Sequence, residues 1–399
     1  MSKVLFISGP IGLGHVGREL EIAKEMRRLD PNVEIIWHAE EPAASMLRSA
    51  GEGNPYTFSE KQSTTSFAET EASEYNLSLC SMFLEWLKTF PDRVGYFMKI
   101  VAEQGVDTIV GDETMELLLT LVKKPELKQF KFVYLSDFFG AYQVQMKPKE
   151  LIATRIFNKT WTKFMEDPKL YEKFVFIGEK EDIDEGSMGL LLPKRRDLAY
   201  KHVDFVGNIL TFRPEDYMDK AAMKRKLGYD HKPLIICTGG GSSAGKPLLN
   251  LCSKAFGILK KDVPDAKMKI VCGPRVPVQE IIREDGVDVA GFVPGLYEHF
   301  AAADLVITSG GGTTTLELIA LQKPFLYFPI LKHWEQNRDV ARKCERYKAG
   351  VKMDYTTTTP ESLSKAIQEN IGKKVLYSKI PTDGAAKVAQ LIAQVRKGS

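Results

Sequence analysis

Short apolar runs alternate with stretches of helical periodicity along the whole chain. Each run is bounded by glycine, proline or polar residues, as in parallel strands that are buried on both faces. The stretches between the runs have one apolar side, which suits helices that cover such a sheet. The predicted strands are Val4–Ser8, Val33–His38, Thr108–Gly111, Phe132–Ser136, Phe174–Ile177, Val203–Val206, Leu234–Thr238, Met268–Cys272, Val287–Ala290, Leu305–Thr308 and Phe325–Phe328.

Both halves of the chain open with a strand, a glycine-rich turn and a helix. The first turn covers residues 9–14, and the second covers residues 239–243. A chain of 399 residues is longer than one hydrophobic core usually serves. We therefore expect an α/β protein with two doubly wound, Rossmann-like parallel-sheet domains that face each other across a cleft. The expected domains are residues 1–208 and 209–380, and a C-terminal helix within 381–399 is expected to pack back on the first domain.

Composition narrows the class of protein only slightly. The formal charge of +3 is too small to indicate a nucleic-acid or membrane partner. The five cysteines are scattered and include no CxxC pair, which favours reduced core residues in a cytoplasmic protein. The N-terminus lacks the layout of a secretory signal, and no apolar stretch approaches the ~20 residues that span a bilayer. Any membrane contact would then be peripheral, at the inner face.

The strongest chemical motif follows the predicted strand Leu305–Thr308. Residues 309–312 read Ser-Gly-Gly-Gly and lead into a helix. Unpaired backbone N–H groups and the positive helix end would there point at one spot, which suits a pyrophosphate. Glu317 lies about one turn into the helix, where its carboxylate could accept hydrogen bonds from both ribose hydroxyls. Glu335 and Gln336, after the next strand, could hold the hydroxyls of a sugar.

With these motifs the chain resembles the two-domain, inverting nucleotide-sugar glycosyltransferases, typified by the bacterial peptidoglycan N-acetylglucosaminyltransferase and the macrolide and plant UDP-glycosyltransferases. The resemblance covers almost the whole chain in layout and is strongest in the second half, although the longer plant signature is absent. It implies a GT-B fold, a UDP-sugar donor and inversion at the anomeric carbon. We expect chemistry without a metal or other cofactor, because no His/Cys cluster has zinc spacing and backbone dipoles can meet the phosphate charge. UDP-glucose and UDP-N-acetylglucosamine are equally compatible donors. The implied nucleotide-binding residues are Gly240, Ser242, Val293, Gly311, Gly312, Thr313, Thr314 and Glu317.

The first glycine turn resembles the loop of that family which faces the acceptor. It contains Gly12 and Gly14, and His15 follows at the start of a helix. An imidazole in this position could remove the proton from an acceptor hydroxyl. Asp112 or Glu113 could orient the imidazole, because carboxylates fix the tautomer of histidine bases. Asp137 is a second carboxylate candidate for this role or for contact with the acceptor.

Other interpretations of the same residues remain open. Residues 12–17 also match the GxGxxG dinucleotide fingerprint, and Glu40 or Glu41 could then bind the ribose of NAD or FAD. The string Asp182-Ile183-Asp184 resembles a metal-binding DxD motif, but it lies in an acidic run and is predicted to be a solvated loop. The alternatives to a transferase are a UDP-N-acetylglucosamine 2-epimerase and a non-catalytic nucleotide-sugar-binding protein.

Two aromatic-rich stretches, residues 82–90 and 155–164, do not identify the acceptor. In the second, Arg155, Lys159 and Lys163 recur every four residues beside Phe157, Trp161 and Phe164. This spacing predicts either a helix that lies on an anionic surface or a helix that packs on a core. Lipids, glycans and small molecules are all compatible acceptors, and the sequence does not discriminate among these classes.

Overall fold

The computed structural model describes residues 3–9, 13–58, 75, 79–143 and 147–398, with the backbone alone for residues 79–86. These residues divide into two compact units. The first takes its residues from Met1–Ala68, Leu79–Thr211 and Pro381–Ser399. The second takes its residues from Glu69–Ser78 and Phe212–Ile380. The chain thus leaves the first unit after Thr211 and returns to it at Pro381.

Six strands of the described residues form a parallel sheet in the first unit, in the order β2-β1-β3-β4-β5-β6. The central strands are apolar and buried because helices cover both faces of the sheet. The strands are β1 (Lys3–Ile7), β2 (Glu34–His38), β3 (Thr108–Asp112), β4 (Lys131–Ser136), β5 (Lys173–Ile177) and β6 (Asp204–Gly207).

The C-terminal helix belongs to the first unit. Its buried residues Val388 and Ile392 share one hydrophobic cluster with Val16 and Leu20 of the first helix. Arg396 also pairs with an aspartate at the end of that first helix, at 3.0 Å. The helices of this unit are α1 (Gly14–Leu29), α2 (Ala43–Ser49), α3 (Leu79–Gln104), α4 (Met115–Lys123), α5 (Pro148–Glu166), α6 (Arg195–His202) and α13 (Gly384–Lys397).

The second unit also contains a parallel sheet, formed by six strands of the described residues in the order β12-β11-β10-β7-β8-β9. Its strands are β7 (Leu234–Thr238), β8 (Lys267–Val271), β9 (Val287–Ala290), β10 (Leu305–Thr308), β11 (Phe325–Tyr327) and β12 (Val351–Lys352). Its helices are α7 (Lys220–Lys226), α8 (Lys246–Leu259), α9 (Leu296–Ala302), α10 (Gly312–Ala320), a π-helical segment (Glu335–Val340), α11 (Ala341–Arg346) and α12 (Pro360–Asn370).

The predicted pair of doubly wound parallel sheets is confirmed, and the strand ends differ from the prediction by no more than a residue. The sequence interpretation missed β12, which is two residues long and exposed at both positions. A strand this short at the edge of a sheet has no apolar run that could reveal it.

The order of the strands locates the places where ligands can bind. In the first sheet the chain order reverses between β1 and β3, and in the second sheet it reverses between β7 and β10. At such a point the loops after neighbouring strands diverge to opposite faces and leave a crevice at the carboxyl ends of the strands. Each unit therefore has one topological switch point, and each of these lies beside a glycine-rich turn.

The described cysteines Cys237, Cys252, Cys272 and Cys344 are unpaired and buried, as expected of reduced core residues. Within the described part of the chain, no helix combines the length and the apolar character needed to cross a bilayer.

Candidate functional site

Two glycine loops meet at the switch point of the second sheet. The hydroxyl of Ser309, after β10, donates to the carbonyl of Gly239, after β7, at 3.0 Å. Gly240 and Gly310 have φ angles of +78° and +76°, a left-handed conformation that favours glycine. The backbone of both loops is thus held in a sharp turn at the carboxyl ends of neighbouring strands.

The start of α10 is open to a ligand. A Cβ atom placed on Gly311 would have no heavy atom of a described residue within 4 Å. The helix begins at Gly312, so the N–H groups of Gly312, Thr313 and Thr314 have no partner within the helix. Thr315 closes the turn, because its hydroxyl and its N–H both donate to the carbonyl of Gly311. Unpaired N–H groups at an open helix start form a seat for an anion.

Ser242, predicted to bind nucleotide, has a role within the protein. Its side-chain oxygen accepts a hydrogen bond from the N–H of Ala244 at 3.2 Å and caps the short turn before α8. Gly239 and Gly245 approach so closely that a Cβ atom on either would come within 2.8 Å of the other's backbone. The loop after β7 is therefore fixed by its own packing.

Among the residues that the structure describes, Glu317 has no partner for its carboxyl group. It is half-buried on α10 between the buried residues Leu316 and Leu318. None of the described residues forms a hydrogen bond or ion pair with it. Burial raises the pKa of Glu317 to about 8. A carboxylate held away from water costs free energy unless it is hydrogen-bonded, so this group is suited to accept donors from a ligand.

The loop that contains Val293 lies near Glu317, because the loop leads into α9 and a residue of α9 lies close to Glu317. Val293 is half-buried, and the loop leads into Tyr297. The Tyr297 ring stacks on Phe212 with 4.3 Å between centroids. Burial, a hydrogen bond with Tyr217 and nearby carboxylates including Glu317 raise the pKa of Tyr297. The segment predicted to contact the base and the helix predicted to bind ribose are thus neighbours, linked by an aromatic group that the sequence interpretation missed.

The predicted sugar-binding pair lies in the π-helical segment. Glu335 Oε1 is 3.9 Å from the position a Cβ atom would take on Gly312, which places this carboxylate beside the start of α10. The Oε1 atom of Gln336 accepts the N–H of Ile330 at 2.9 Å. Since that oxygen is engaged by backbone, Gln336 can offer a ligand its amide N–H groups, as a donor, more readily than its oxygen.

The switch point of the first sheet brings together His15, Asp112 and Glu113. Gly14 begins α1, whereas Gly12 lies outside the described residues. His15 Nδ1 is 3.3 Å from Asp112 Oδ2, and His15 Nε2 is 3.6 Å from Glu113 Oε2. A Cβ atom on Gly9 would lie 2.9 Å from the imidazole, so glycine allows the turn after β1 to lie against the ring.

Arg18, which the sequence interpretation missed, lies at the centre of this cluster. Its Nε and Nη2 atoms bind both oxygens of Asp112, at 2.7 and 2.5 Å. Its Nη1 binds Asp137 at 2.5 Å, and Nη2 lies 2.8 Å from His15 Nδ1. The available signal was two adjacent charged residues, Arg18 and Glu19, one helical turn after His15 among the apolar residues of a buried helix face.

The carboxyl groups around Arg18 have divergent acidities. Burial opposes the ionisation of Asp112, but the Arg18 charge outweighs it and holds the pKa of Asp112 well below its usual range. Asp137 follows the same pattern, and a hydrogen bond with Glu113 also lowers its pKa. Burial and the Asp137 charge raise the pKa of Glu113 well above its usual range. The charges of the cluster therefore favour an ionised Asp137 beside a protonated Glu113.

His15, Asp112 and Glu113 each present one potential metal-ligand atom, and these three atoms lie within 4.8 Å of one another. The guanidinium of Arg18 already binds both Asp112 oxygens and lies against the imidazole. A divalent ion would have to displace this buried cation, so the donor set does not fit a metal.

The structure corrects the interpretation of Asp182. It was expected to be a solvated loop charge, but it is buried, and its carboxylate accepts the N–H of Glu179 in a reciprocal capping box. Asp184 accepts the N–H of Gly186 at 2.6 Å. Both aspartates are thus engaged by their own loop.

Glu40 and Glu41, the ribose candidates of a dinucleotide site, are also engaged. Glu40 pairs with the buried Arg93 at 3.1 Å, and Glu41 accepts from Ser45 and Arg48. Both carboxylates are therefore engaged within the protein and are not presented to a ligand.

The aromatic face of residues 155–164 packs on the core. Phe157, Trp161 and Phe164 are buried on α5. For the rings, the predicted alternative of packing on a core is therefore confirmed. The solvent side of α5 has aliphatic and basic residues instead. Of the first aromatic stretch, the side chains of residues 82–86 lie outside the described part, and Phe90 is buried.

Known structures share this architecture. The calicheamicin glycosyltransferase CalG4 aligns over 100% of this chain and 94% of its own, with a TM-score of 0.57 and 14% identity. The MnaA protein of S. aureus, solved with UDP, aligns over 100% of this chain and 97% of its own, with a TM-score of 0.60 and 14% identity. The chain has the GT-B fold.

Sequence comparison gives a more specific match for the second half of the chain. Residues 234–395 match the glycosyltransferase family 28 C-terminal domain. An uncharacterised glycosyltransferase of Methanopyrus kandleri is 28% identical over 213 residues, which are 51% of this chain and 59% of that protein. The UDP-N-acetylglucosamine–N-acetylmuramyl-(pentapeptide) pyrophosphoryl-undecaprenol N-acetylglucosamine transferase of Glaesserella parasuis is 23% identical over 197 residues, 49% of this chain and 55% of that protein.

Each of these matches spans little more than half of the relative's length. By fold the chain is of the GT-B type. By sequence, residues 234–395 are similar to the C-terminal domain of glycosyltransferase family 28.

Proposed function

We propose that the protein transfers a sugar from a UDP-sugar to a hydroxyl group of an acceptor. The observation that carries this proposal is Glu317, a carboxyl group without a partner among the described residues, on the helix whose open start forms an anion seat. Ribose hydroxyls would satisfy the carboxylate while the diphosphate accepts the N–H groups at Gly312 and Thr313. Val293 would contact the base, and Glu335 with Gln336 would hold the sugar.

The first unit would supply the acceptor chemistry. His15 is proposed as the base that removes the hydroxyl proton as the oxygen attacks the anomeric carbon, with inversion. Asp112 and Glu113 flank the two imidazole nitrogens, and Asp137 is the carboxylate of this group that is most exposed, at 27% of its side chain. No metal is needed in this scheme, because helix N–H groups meet the phosphate charge.

The reaction is tested by incubating the protein with UDP-glucose or UDP-N-acetylglucosamine in EDTA, with and without a cell-lipid extract. We expect UDP release that depends on the acceptor and is unaffected by EDTA. Loss of turnover in EDTA, with recovery in magnesium or manganese, would contradict the metal-independent scheme. Formation of UDP-N-acetylmannosamine without any acceptor would instead select the epimerase.

We also propose that the first unit contacts an anionic membrane surface through the solvent side of α5. Leu151, Ile152 and Ile156 are 53%, 59% and 58% exposed, and the basic residues Arg155 and Lys159 lie between and after them. A helix that exposes aliphatic and basic side chains together suits the boundary between acyl chains and anionic headgroups.

A neighbouring turn extends this apolar surface. The carbonyl of Met188 accepts a hydrogen bond from Asn158 on α5 at 2.8 Å. The turn that follows exposes Leu190 and Leu191 by 71% and 91%. Leu191 also has a φ of +62°, an uncommon conformation for a leucine.

Flotation with anionic and with neutral vesicles tests this contact. We expect the wild type to float with the anionic vesicles, and the Lys159→Glu/Lys163→Glu variant to bind them at least ~10-fold more weakly, at about 1 kcal/mol per basic residue. The matched control is Lys254→Glu/Lys261→Glu, which changes the same charge at exposed positions of the second unit. Equal flotation of all three proteins would count against the surface on α5.

A further inference from the structure

Tyr75 lies between β2 and α3 in the sequence, but it belongs to the second unit. It is fully buried, and its ring stacks on Tyr355 with 4.3 Å between the centroids. Its φ angle of +60° is uncommon for a tyrosine, and such a conformation persists only where the surrounding contacts hold it. Tyr75 is thus a firmly held part of the second unit.

Both polar ends of Tyr75 bind one short loop, residues 328–331, which follows β11. The hydroxyl donates to the carbonyl of Phe328. The carbonyl of Tyr75 accepts the N–H of Leu331 at 3.0 Å. Burial raises the pKa of Tyr75 well above its usual value, so the hydroxyl keeps its proton and remains a donor. The loop is therefore held by Tyr75 at two points that are three residues apart.

Ile330, which lies between these two points, holds the side chain of Gln336. The N–H of Ile330 donates to Gln336 Oε1 at 2.9 Å. The side-chain amide of Asn337 donates to the carbonyl of Ile330 at 2.8 Å. The orientation of the Gln336 amide thus depends on where the backbone of Ile330 lies. A shift of the loop would move the N–H groups that Gln336 is proposed to offer to the donor sugar.

Tyr377 makes a similar contact at the opposite end of β11. Its hydroxyl donates to the carbonyl of Lys323 at 3.1 Å and accepts the N–H of Gly350 at 3.4 Å. Lys323 precedes β11, whereas Phe328 follows it. Ligands of open parallel sheets bind at the carboxyl ends of the strands. Of these two buried tyrosines, only Tyr75 therefore acts at the ligand-binding end of β11.

We propose that Tyr75 is a positioning residue for recognition of the donor sugar. It fixes residues 328–331 so that Gln336 presents its amide N–H groups to a sugar hydroxyl. This role rests on the proposed function, because it requires that the second unit binds a UDP-sugar. Tyr75 should affect recognition of the sugar but not of UDP, because the proposed contacts with UDP are made by Val293, Glu317 and the start of α10.

Hydrogen exchange of the free protein tests whether Tyr75 holds the loop. Tyr75→Phe removes the hydroxyl and keeps the ring. We expect the amides of Ile330 and Leu331 to exchange about 5-fold faster in this variant, as the loss of one ordinary hydrogen bond allows. Tyr377→Phe is the matched control and should leave both amides as they are in the wild type. Equal exchange of these amides in the wild type and Tyr75→Phe would overturn the proposal.

Calorimetric titrations with UDP, UDP-glucose and UDP-N-acetylglucosamine test the effect on the sugar. In Tyr75→Phe we expect the UDP-sugar that the wild type binds to lose about 5-fold in affinity relative to UDP. Tyr377→Phe should keep the wild-type ratio of the two Kd values. In a Gln336→Ala background, Tyr75→Phe should cause no further loss, because the effects of residues that act through one another are not additive. A merely structural role of Tyr75 would leave the ratio unchanged.

Failure of this proposal can be distinguished from failure of the proposed function. If the wild type bound neither UDP nor a UDP-sugar, the proposed function would be contradicted, and the role of Tyr75 with it. If the wild type bound both and Tyr75→Phe kept the same ratio of Kd values, only the role of Tyr75 would be contradicted. Binding of UDP by Tyr75→Phe with wild-type affinity would also show that this variant is folded.

Discussion

Replacing His15 with alanine is expected to reduce sugar transfer by ~10²- to 10⁴-fold, the usual contribution of a positioned general base. UDP affinity should be unchanged, because the proposed donor residues all belong to the second unit. The measurement is the initial rate of UDP release in the presence of acceptor, together with calorimetric titration of UDP. A loss confined to the rate would identify a group that acts in the reaction step.

His231→Ala is the matched control, since it removes an exposed imidazole from the second unit. It should leave both the transfer rate and UDP affinity at their wild-type values. If His15→Ala transferred sugar as fast as this control, His15 would not be the base. If the protein binds nucleotide but no reaction depends on His15, the alternative of a non-catalytic nucleotide-sugar-binding protein would be favoured.

Replacing Glu317 with glutamine is expected to weaken UDP binding by ~10- to 100-fold. A hydrogen bond to a charged group contributes about 1.5–3 kcal/mol, and 1.4 kcal/mol corresponds to a factor of ten in Kd. The wild type should bind 2′-deoxy-UDP more weakly than UDP, because the nucleotide lacks a hydroxyl that pairs with the carboxylate. The variant should show a much smaller difference between the two nucleotides, because it lacks the carboxylate of that pair. Calorimetric titration of both nucleotides on both proteins gives the full cycle.

Glu317 also predicts a proton effect with a defined sign. Its pKa of about 8 means that the free protein holds a proton there at pH 7. Ribose hydroxyls donate to the carboxylate, so UDP binding lowers the pKa and releases a proton. Affinity should then rise as the pH increases from about 6 to 8 and level off above the pKa of the free protein.

Titrations at pH 7 in two buffers of different ionisation enthalpy measure this release. Glu369→Gln, an exposed glutamate on a helix of the same unit, is the control and should behave as the wild type does. Equal UDP affinity and equal proton release in the wild type and Glu317→Gln would remove Glu317 from the nucleotide site.

The sequence was sufficient to predict the sheets because their strands are apolar and buried on both faces. Leu234–Thr238 and Leu305–Thr308 have the predicted bounds. The donor-side motif was also visible, because the glycines at 310–312 and Glu317 are close in sequence and share one strand, turn and helix. A local motif of this kind requires no knowledge of tertiary contacts.

Arg18 illustrates what the sequence did not provide. Its partners Asp112 and Asp137 are 94 and 119 residues away, and only the pairing of β1 with β3 and of β3 with β4 brings them together. For Asp182, the sequence pattern led to a wrong prediction of exposure rather than to no prediction. Its acidic neighbourhood suggested solvent, but a backbone capping box holds it in a buried turn. A charge pattern alone does not distinguish a solvated run from a set of caps.

Calorimetric titration of the wild-type protein with UDP, TDP, GDP and NAD tests the central claim most directly. The second unit is proposed to bind the diphosphate at the start of α10 and the ribose at Glu317. This arrangement predicts that UDP binds and that NAD produces no heat of binding at the same concentration. Binding of NAD, with no response to any pyrimidine diphosphate, would contradict the account.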